Sequence, residues 1–350
     1  MSTDPTTAPT ATTSAADDTG TCDLSTRYLG LELANPLVAA ASPLTGEIDR
    51  LCELEEAGVA AVVLPSLFEE QIEHDIAALH GLEVASERDA EVYGGYLPVL
   101  DTYNTGPAHY LETLVAAKAE LGVPVIASLN GTSEGGWVHY AKVCEDEGAD
   151  ALELNIYLVA ADLDVPGTEV EDRYLALVAA VRDAVTVPLA VKIGPYFSSP
   201  GHMARRLVDA GANGLVLFNR FMQPDIDLET LTTTPRVVLS SPDEMRLVLR
   251  WMAILSGRID ASLAATTGVH DADGVVKLLL AGADVTTMAS ALLQHGAGHV
   301  AVVLDEMQRW FDDHGYVSVS QARGSLSQRS SPDPSAFERA NYMKALSSWS

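Results

Sequence analysis

The sequence alternates apolar segments of strand length with amphipathic segments of helical period, and this alternation limits the fold more than any other feature. A glycine follows four of the helical segments, at Gly58, Gly148, Gly211 and Gly282, just before the next apolar segment begins. Glycine in that position is typical of a helix C-cap. Strands that alternate with helices form a parallel sheet with right-handed crossovers. We therefore predict an α/β fold.

A closed barrel and an open doubly wound sheet both satisfy this alternation. An open sheet that binds a dinucleotide has a GxGxxG turn after its first strand, and the segment NPLVAAASPL contains no glycine. We therefore predict a (β/α)8 TIM barrel with an N-terminal hairpin over 23–33. A second hairpin is expected in an insertion after strand 6, over 219–241. The predicted barrel strands are 36–41, 60–65, 124–129, 151–156, 189–193, 215–218, 262–267 and 284–289.

Composition divides the chain into three parts. Residues 1–22 are rich in Thr, Ala, Ser and Asp, and we expect a disordered N-terminal tail. Residues 23–323 form the predicted barrel, with a long helix over 66–82 and a long polar loop over 83–107. Residues 324–350 are a C-terminal extension rich in Ser that we expect to wrap the surface or to join an interface.

Charge and hydropathy exclude several classes of partner. The net charge is −28, so the sequence predicts no nucleic-acid partner, because binding to phosphates requires Lys and Arg. No apolar run reaches the length of about 18 to 20 residues that a membrane span requires. The N-terminus lacks the pattern of a signal peptide, and we expect a cytoplasmic protein. Three scattered cysteines predict neither a disulfide framework nor a metal site.

The last two predicted strands end in small or hydroxyl residues, Thr267–Gly268 and Ala289–Ser290. Short side chains at a strand end leave backbone N–H groups accessible and let an anion approach closely. In a (β/α)8 barrel the phosphate site lies characteristically after strands seven and eight. The sequence therefore predicts a phosphate site at these two strand ends.

Two polar residues at other strand ends are candidates for chemistry. Lys192 lies in the apolar strand LAVKI, where a lysine is costly unless it is paired. It is either a functional cation facing an anion or a carbonyl, or a structural lysine that binds strand-end carbonyls or Glu153. Asn155 follows Glu153 on the same face of its strand. Its amide suits a flat amide-bearing ring, or it caps its own loop.

Six segments in order, SPLTGEID, SLNG, LELNIY, VKIGPYF, LVLFNRF and AGADVTTMASALL, resemble the class 1 dihydroorotate dehydrogenase family, within it the dihydroorotate dehydrogenase-like bacterial subgroup. The resemblance covers about residues 23–328 and implies an FMN-dependent barrel. The cofactor contacts that it implies are Ala41, Ser42, Asn155, Lys192, Thr267, Gly268, Ala289 and Ser290. It places Asn219 near the substrate, and Ser66 and Asn130 are the further candidate substrate contacts. Lys192 and Asn155 are the candidate catalytic residues.

The chain departs from the family pattern where the chemistry of dihydroorotate oxidation is performed. The family places a cysteine or serine base in a stretch like LNxSCPN, and Leu158 stands at that position, with Ala160 replacing the downstream asparagine. A family lysine is replaced by Pro65 and a first-loop glycine by Pro43. Tyr157 is the nearest hydroxyl and the third catalytic candidate. It needs a lowered pKa to accept a proton, or acts only as an acid.

Three functions follow from these observations. The first is an FMN-dependent oxidoreductase that transfers hydride between FMN and a small planar or unsaturated substrate at a CH–CH group, without the usual base. The second is a catalytically degenerate barrel that serves as a binding or regulatory subunit. The third is an aldolase-like lyase in which Lys192 forms a Schiff base. A homodimer is the candidate assembly, and the sequence does not name the electron acceptor.

Overall fold

The computed structural model describes residues 21–72, 106–131, 137–235, 237–338 and 340–348. Within them, eight parallel strands close into one barrel, and each further pair of strands forms an antiparallel hairpin. The strands are β1 (Thr26–Tyr28), β2 (Leu31–Leu33), β3 (Leu37–Ala39), β4 (Ala61–Phe68), β5 (Val125–Asn130), β6 (Ala151–Asn155), β7 (Leu189–Ile193), β8 (Gly214–Leu217), β9 (Pro224–Asp227), β10 (Thr232–Pro235), β11 (Ser262–Ala265) and β12 (Val285–Met288). The barrel runs from β3 through β8 to β11 and β12, and β12 pairs with β3 to close it.

Helices surround the barrel, as the alternating sequence predicts. Those between barrel strands are α1 (Ile48–Glu56), α2 (Gly106–Glu120), α3 (Trp137–Asp146), α4 (Gly167–Ala184), α5 (Pro200–Asp209), α6 (Met245–Leu255) and α7 (Ala272–Ala281). Those after the last strand are α8 (Ser290–His295), α9 (His299–Asp313), α10 (Val319–Ala322) and α11 (Ala340–Ser347). Asp271 caps α7 by accepting a hydrogen bond from the N–H of Gly274. Gly282 ends α7 with a φ of 121°, which only glycine adopts readily.

The N-terminal hairpin plugs the amino end of the barrel. Tyr28 and Leu29 are buried against the apolar side chains that point into the barrel from alternate strand positions. Thr26 Oγ1 donates to the carbonyl of Asp284 at 2.9 Å, and the Leu29 N–H donates to Ser262 Oγ at 3.0 Å. The hairpin therefore fills the interior from below. The carboxyl ends of the strands lie at the opposite end of the barrel.

The predicted fold class, the N-terminal hairpin and the hairpin of the insertion, β9 with β10, are confirmed. The prediction that the second barrel strand ends at Pro65 and that a helix begins at Ser66 is wrong. Strand β4 continues to Phe68 and pairs with β5 up to Asn130, with a register shift between Val63 and Ser66. All residues of β4 except Phe68 are buried. Strand pairing and burial therefore outweigh the tendency of Pro65 to end a strand. Most of the predicted loop over 83–107 lies outside the described residues.

The two ends of the described chain are bonded to the barrel helices. The Cys22 N–H donates to Asp312 Oδ1 at 2.8 Å. In the C-terminal extension, the N–H groups of Gly324 and Leu326 donate to the carbonyls of Leu279 and Leu280 at the end of α7. The extension therefore packs on the outer face of the barrel. Among the helices that the structure describes, none has the length and apolar character needed to cross a membrane.

Candidate active site at the carboxyl ends of the barrel strands

A cleft of about 950 Å³, including solvent at its mouth, lies over the carboxyl ends of the strands. Its walls come from Lys192 in β7, from the loops after β3, β8, β11 and β12, and from the insertion that carries β9 and β10. Of the sequence-predicted residues, the cleft is lined by Ala41, Ser42, Lys192, Asn219, Thr267, Gly268, Ala289 and Ser290. The cofactor candidates therefore share one cleft, apart from Asn155, which reaches it through a hydrogen bond to Asn219.

One end of the cleft has the shape of an anion cradle. Thr267 and Gly268 both have positive φ, 75° and 78°, and Thr267 Oγ1 donates to the carbonyl of Phe218 at 3.0 Å. A Cβ on Gly268 would lie 2.4 Å from the backbone nitrogen of Met245, so only glycine fits. Beside this turn, Ser290 begins α8, where the first N–H groups have no partner within the helix. Backbone donors from two loops therefore border the same space.

The insertion contributes Ser240, which sequence reasoning did not single out. The Ser240 hydroxyl accepts from the Gly268 N–H at 3.4 Å and lies 3.2 Å from His270 Nε2. Its backbone N–H donates to Ser290 Oγ at 3.0 Å. Ser240 thus connects the two halves of the anion cradle. No sequence signal marked it, because a serine in a loop that is rich in serine is unremarkable in isolation.

The cleft also contains a buried hydroxyl group without a partner. Thr287 lines the cleft, and its Oγ1 is buried and makes no hydrogen bond to any residue that the structure describes. Buried hydroxyl groups in proteins are almost always hydrogen-bonded. The group therefore fits a polar ligand in the cleft. The alternation of β12, in which Val285, Thr287 and Ala289 share a face, was the signal that could have identified it.

Lys192 lies at the floor of the cleft and is ion-paired inside the barrel. Its Nζ is 3.3 Å from Glu153 Oε1, and the two side chains are 11% and 4% exposed. An ammonium group has three donors, and this is the one hydrogen bond that the Lys192 ammonium makes to the described residues. Both interpretations of Lys192 are therefore compatible with its position: it is held by Glu153, and it still faces the cleft.

A chain of hydrogen bonds joins three of the predicted residues, which come from the alternate strands β4 and β6 and the end of β8. Asn219 Nδ2 donates to Asn155 Oδ1 at 2.6 Å, and Asn155 Nδ2 donates to Ser66 Oγ at 3.4 Å. Ser66 Oγ lies 2.8 Å from Ser128 Oγ, a residue of β5 that the sequence did not single out as a contact. Asn130 lies beside Asn155 in the strand register. These groups are uncharged, and of them Asn219 lines the cleft.

The loops that follow β6, β7 and β8 form an aromatic cluster. The rings of Tyr157 and Phe221 stack at 4.3 Å, and Tyr196 packs against Phe221 at 5.2 Å. Tyr157 Oη accepts from the Met222 N–H at 2.7 Å. Burial raises the pKa of Tyr157 above its usual value, so the phenol remains protonated at neutral pH. Leu158, at the position of the family base, is partly buried against the core.

The geometry places the chain among the (β/α)8 barrel proteins, with a cleft at the carboxyl ends of the strands. A family model described as Dihydroorotate dehydrogenase matches residues 85–311. The chain belongs to the dihydroorotate dehydrogenase family, whose members are flavin-dependent dehydrogenases that act on CH–CH donors. The sequence resemblance, the oxidoreductase class and the barrel fold are thereby confirmed.

Three relatives show how distant the similarity is. All are named dihydroorotate dehydrogenase B (NAD(+)), catalytic subunit. The protein of Methanothermobacter thermautotrophicus is 26% identical over 308 residues, which cover 86% of this chain and 97% of that protein. The protein of Halalkalibacterium halodurans is 26% identical over 245 residues, which cover 68% of this chain and 79% of that protein. The protein of Listeria monocytogenes is 27% identical over 271 residues, which cover 75% of this chain and 84% of that protein.

Proposed function

We propose that this protein binds FMN in the cleft and transfers hydride between FMN and a small planar or unsaturated substrate. The observation that carries the proposal is that one cleft combines an anion cradle with a buried hydroxyl group, that of Thr287, which has no hydrogen-bond partner among the described residues. The start of α8 at Ser290 offers backbone donors, and Gly268 keeps the facing turn free of side-chain atoms. Thr287 lines the cleft, and its Oγ1 is buried. A phosphate-bearing ligand with further polar atoms satisfies both features.

Each part of the cleft has a role in holding the cofactor. The turn at Thr267–Gly268, the start of α8 and Ser240 would bind the phosphate. Ala41 and Ser42, in the loop after β3, would contact the ring system. Ser42 is held there by its backbone N–H, which donates to Thr45 Oγ1 at 3.2 Å. The first loop is thus fixed before a ligand binds.

FMN supplies a ring that accepts or donates hydride. Lys192 and Asn155 would do the work of the protein at that ring. Lys192 places a positive charge at the floor of the cleft, where it stabilises negative charge on a bound ligand. Glu153 holds the ammonium in position at 3.3 Å. Asn155, fixed between Asn219 and Ser66, would orient ring and substrate together.

Proton removal is not supported by the two candidate positions that the structure describes, Leu158 and Tyr157. Leu158 cannot accept a proton, and the pKa of Tyr157 is raised by burial, so Tyr157 can donate a proton but is a poor base. A substrate whose oxidation needs a strong base is therefore disfavoured. The same observations favour a second candidate function, a degenerate barrel that binds FMN or another phosphate ligand as a regulatory subunit.

The lyase reading has less support. A lysine that forms a Schiff base attacks as a neutral amine, and Lys192 is instead ion-paired with Glu153. The chain has three cysteines, fewer than the four thiolates of an iron–sulfur cluster, so electrons would be exchanged with another molecule. We propose a homodimer as the assembly, which sedimentation would test, and domain limits at about residues 23 and 323.

Anaerobic reduction tests the proposed reaction. Purified protein is loaded with FMN, and candidate substrates are added while the flavin absorbance is followed. A substrate that changes the oxidation state of the flavin supports the oxidoreductase. Tight FMN binding with no redox response to any unsaturated ring compound supports the regulatory barrel instead.

A further inference from the structure

His270 lies behind the anion cradle and contacts it through the hydroxyl group of Ser240, whose Oγ is 3.2 Å from His270 Nε2. Among the described residues, Ser240 lines the cleft and His270 does not. We infer that His270 is a positioning residue for a phosphate group in the cleft. Its imidazole donates a hydrogen bond to Ser240 and thereby leaves the hydroxyl hydrogen of Ser240 for the phosphate. This inference rests on the proposed function, because it requires a ligand that carries a phosphate.

The Ser240 hydroxyl has one hydrogen to donate and two lone pairs that accept. The Gly268 N–H donates to its oxygen at 3.4 Å and occupies one lone pair. The contact with His270 then decides the direction of the hydroxyl hydrogen. An Nε2 atom without a hydrogen accepts that hydrogen, and only a lone pair of Ser240 remains for a ligand. An Nε2 atom that carries a hydrogen donates to the second lone pair, and the hydroxyl hydrogen remains available.

A phosphate in the cleft distinguishes between these two arrangements. A phosphate monoester is mostly a dianion above its second pKa of about 6, so its oxygen atoms accept hydrogen bonds. The first arrangement would turn a lone pair of Ser240 toward that negative charge. The second arrangement supplies a donor, and hydrogen bonds to charged acceptors are about twice as strong as neutral ones. The bound phosphate therefore requires a hydrogen on His270 Nε2, which the neutral imidazole can also carry.

Ser290 repeats this arrangement on the other side of the cradle. Its Oγ accepts from the backbone N–H of Ser240 at 3.0 Å, and its own hydroxyl hydrogen has no acceptor among the described residues. Both serines line the cleft. In each of them a backbone N–H occupies one lone pair of the hydroxyl oxygen, so both hydroxyl hydrogens can serve one anion. Ser240 differs in having a neighbour, His270, that determines whether its hydrogen is available.

The backbone of His270 is held from outside the cleft. His270 is partly buried, and the next residue, Asp271, is the N-cap of α7, where its side chain accepts from the Gly274 N–H at 2.8 Å. The carbonyl of His270 accepts a hydrogen bond from His299 Nε2 of α9 at 2.7 Å. Two helices therefore fix this residue without any contribution from a ligand. A donor that is fixed in advance lowers the entropic cost of binding.

A matched pair of ligands tests the inference. FMN and riboflavin differ in the phosphate group alone, so the ratio of their Kd values isolates the contribution of the phosphate. Quenching of flavin fluorescence gives both Kd values for the wild type and for each variant. His270→Leu should lower the ratio of the riboflavin Kd to the FMN Kd by about threefold to tenfold, with the riboflavin Kd unchanged, whereas a damaged fold would alter both Kd values. An unchanged ratio overturns the inference.

Further variants locate the effect at Ser240. His270→Gln should restore most of the ratio, because the amide of glutamine can donate in place of the Nε2–H group. Ser240→Ala should lower the ratio as well, and adding His270→Leu to it should lower the ratio no further, since His270 acts through Ser240. Additive losses in the double variant overturn the inference. His202→Leu, which replaces an exposed histidine on α5, is the matched control and should leave both Kd values unchanged.

The protonation of His270 can be observed directly in the FMN-loaded protein. Long-range proton–nitrogen correlation spectra distinguish a ring nitrogen that carries a hydrogen from one that does not, and the signals lost in His270→Gln assign the ring. Nε2 should carry a hydrogen, and a hydrogen on Nδ1 alone overturns the inference. A wild-type protein that binds neither flavin contradicts the proposed cofactor and the inference with it. Tight FMN binding with an unchanged ratio in His270→Leu contradicts the inference alone.

Discussion

Lys192 Nζ and Glu153 Oε1 lie 3.3 Å apart inside the barrel, with both side chains almost completely buried. The pair lies between the apolar layer that the hairpin fills and the cleft above it. It therefore couples the stability of the barrel to the electrostatics of the site. Removing one partner leaves the other charge buried and uncompensated.

Lys192→Met and Glu153→Gln should each lower the free energy of unfolding by about 3 kcal/mol, because each leaves one unpaired buried group. The double variant should cost clearly less than the sum, since it removes both. Urea denaturation of all four proteins measures the coupling. Additive losses would show that the two side chains do not interact.

Ser290→Asp should weaken FMN binding by at least about tenfold, because the carboxylate would face the phosphate at the start of α8. Ser290→Ala is the matched control and removes only the hydroxyl that accepts from Ser240. Equilibrium titration with FMN gives both Kd values, and thermal unfolding reports on the fold. Gly268→Asp is unsuitable for this purpose, since any Cβ there collides with the backbone at Met245. Equal FMN affinity in the Asp and Ala variants would show that the phosphate does not bind at the start of α8.

Thr287→Val should move stability and affinity in opposite directions. Without ligand, the variant should gain about 1 kcal/mol in unfolding free energy, because an unsatisfied buried hydroxyl is replaced by a methyl group. With FMN, the affinity should fall by about fivefold through the lost hydrogen bond. Unfolding with and without FMN gives both values. A variant that binds FMN like the wild type would show that Thr287 does not contact the cofactor.

The partly buried phenol of Tyr157 should make the stability of the folded protein depend on pH in the alkaline range. Burial raises the pKa of Tyr157 in the folded protein above its usual value, so above pH of about 10 only the unfolded state releases this proton. Its contribution to stability is complete below that pH and is lost as the pH rises toward the folded pKa. Tyr157→Phe should therefore lose less stability than the wild type between about pH 9 and pH 11. Parallel alkaline curves would contradict the burial of the phenol.

The sequence predicted the barrel because periodicity and glycine C-caps are local signals, as the helix that ends at Gly282 illustrates. The sequence also singled out Thr267–Gly268 and Ala289–Ser290, which line the cleft. Small residues at the ends of two strands can be recognised from the sequence alone, without knowledge of tertiary contacts. Ser240 could not be found in this way, because its role depends on an insertion folding back across 28 residues to Gly268. The length of β4 was not predicted correctly, because a proline such as Pro65 is typical of a strand end. Pairing with β5, which the sequence does not show, extends the strand to Phe68.

FMN binding in the cleft can be measured as the flavin content of the purified protein. Protein supplemented with FMN and freed of excess cofactor is denatured, and the released flavin is measured against the protein concentration. The expected result is about one FMN per chain, with an absorbance spectrum that is shifted from that of free FMN before denaturation. A protein that remains colourless after incubation with excess FMN, while folded by circular dichroism, would contradict it.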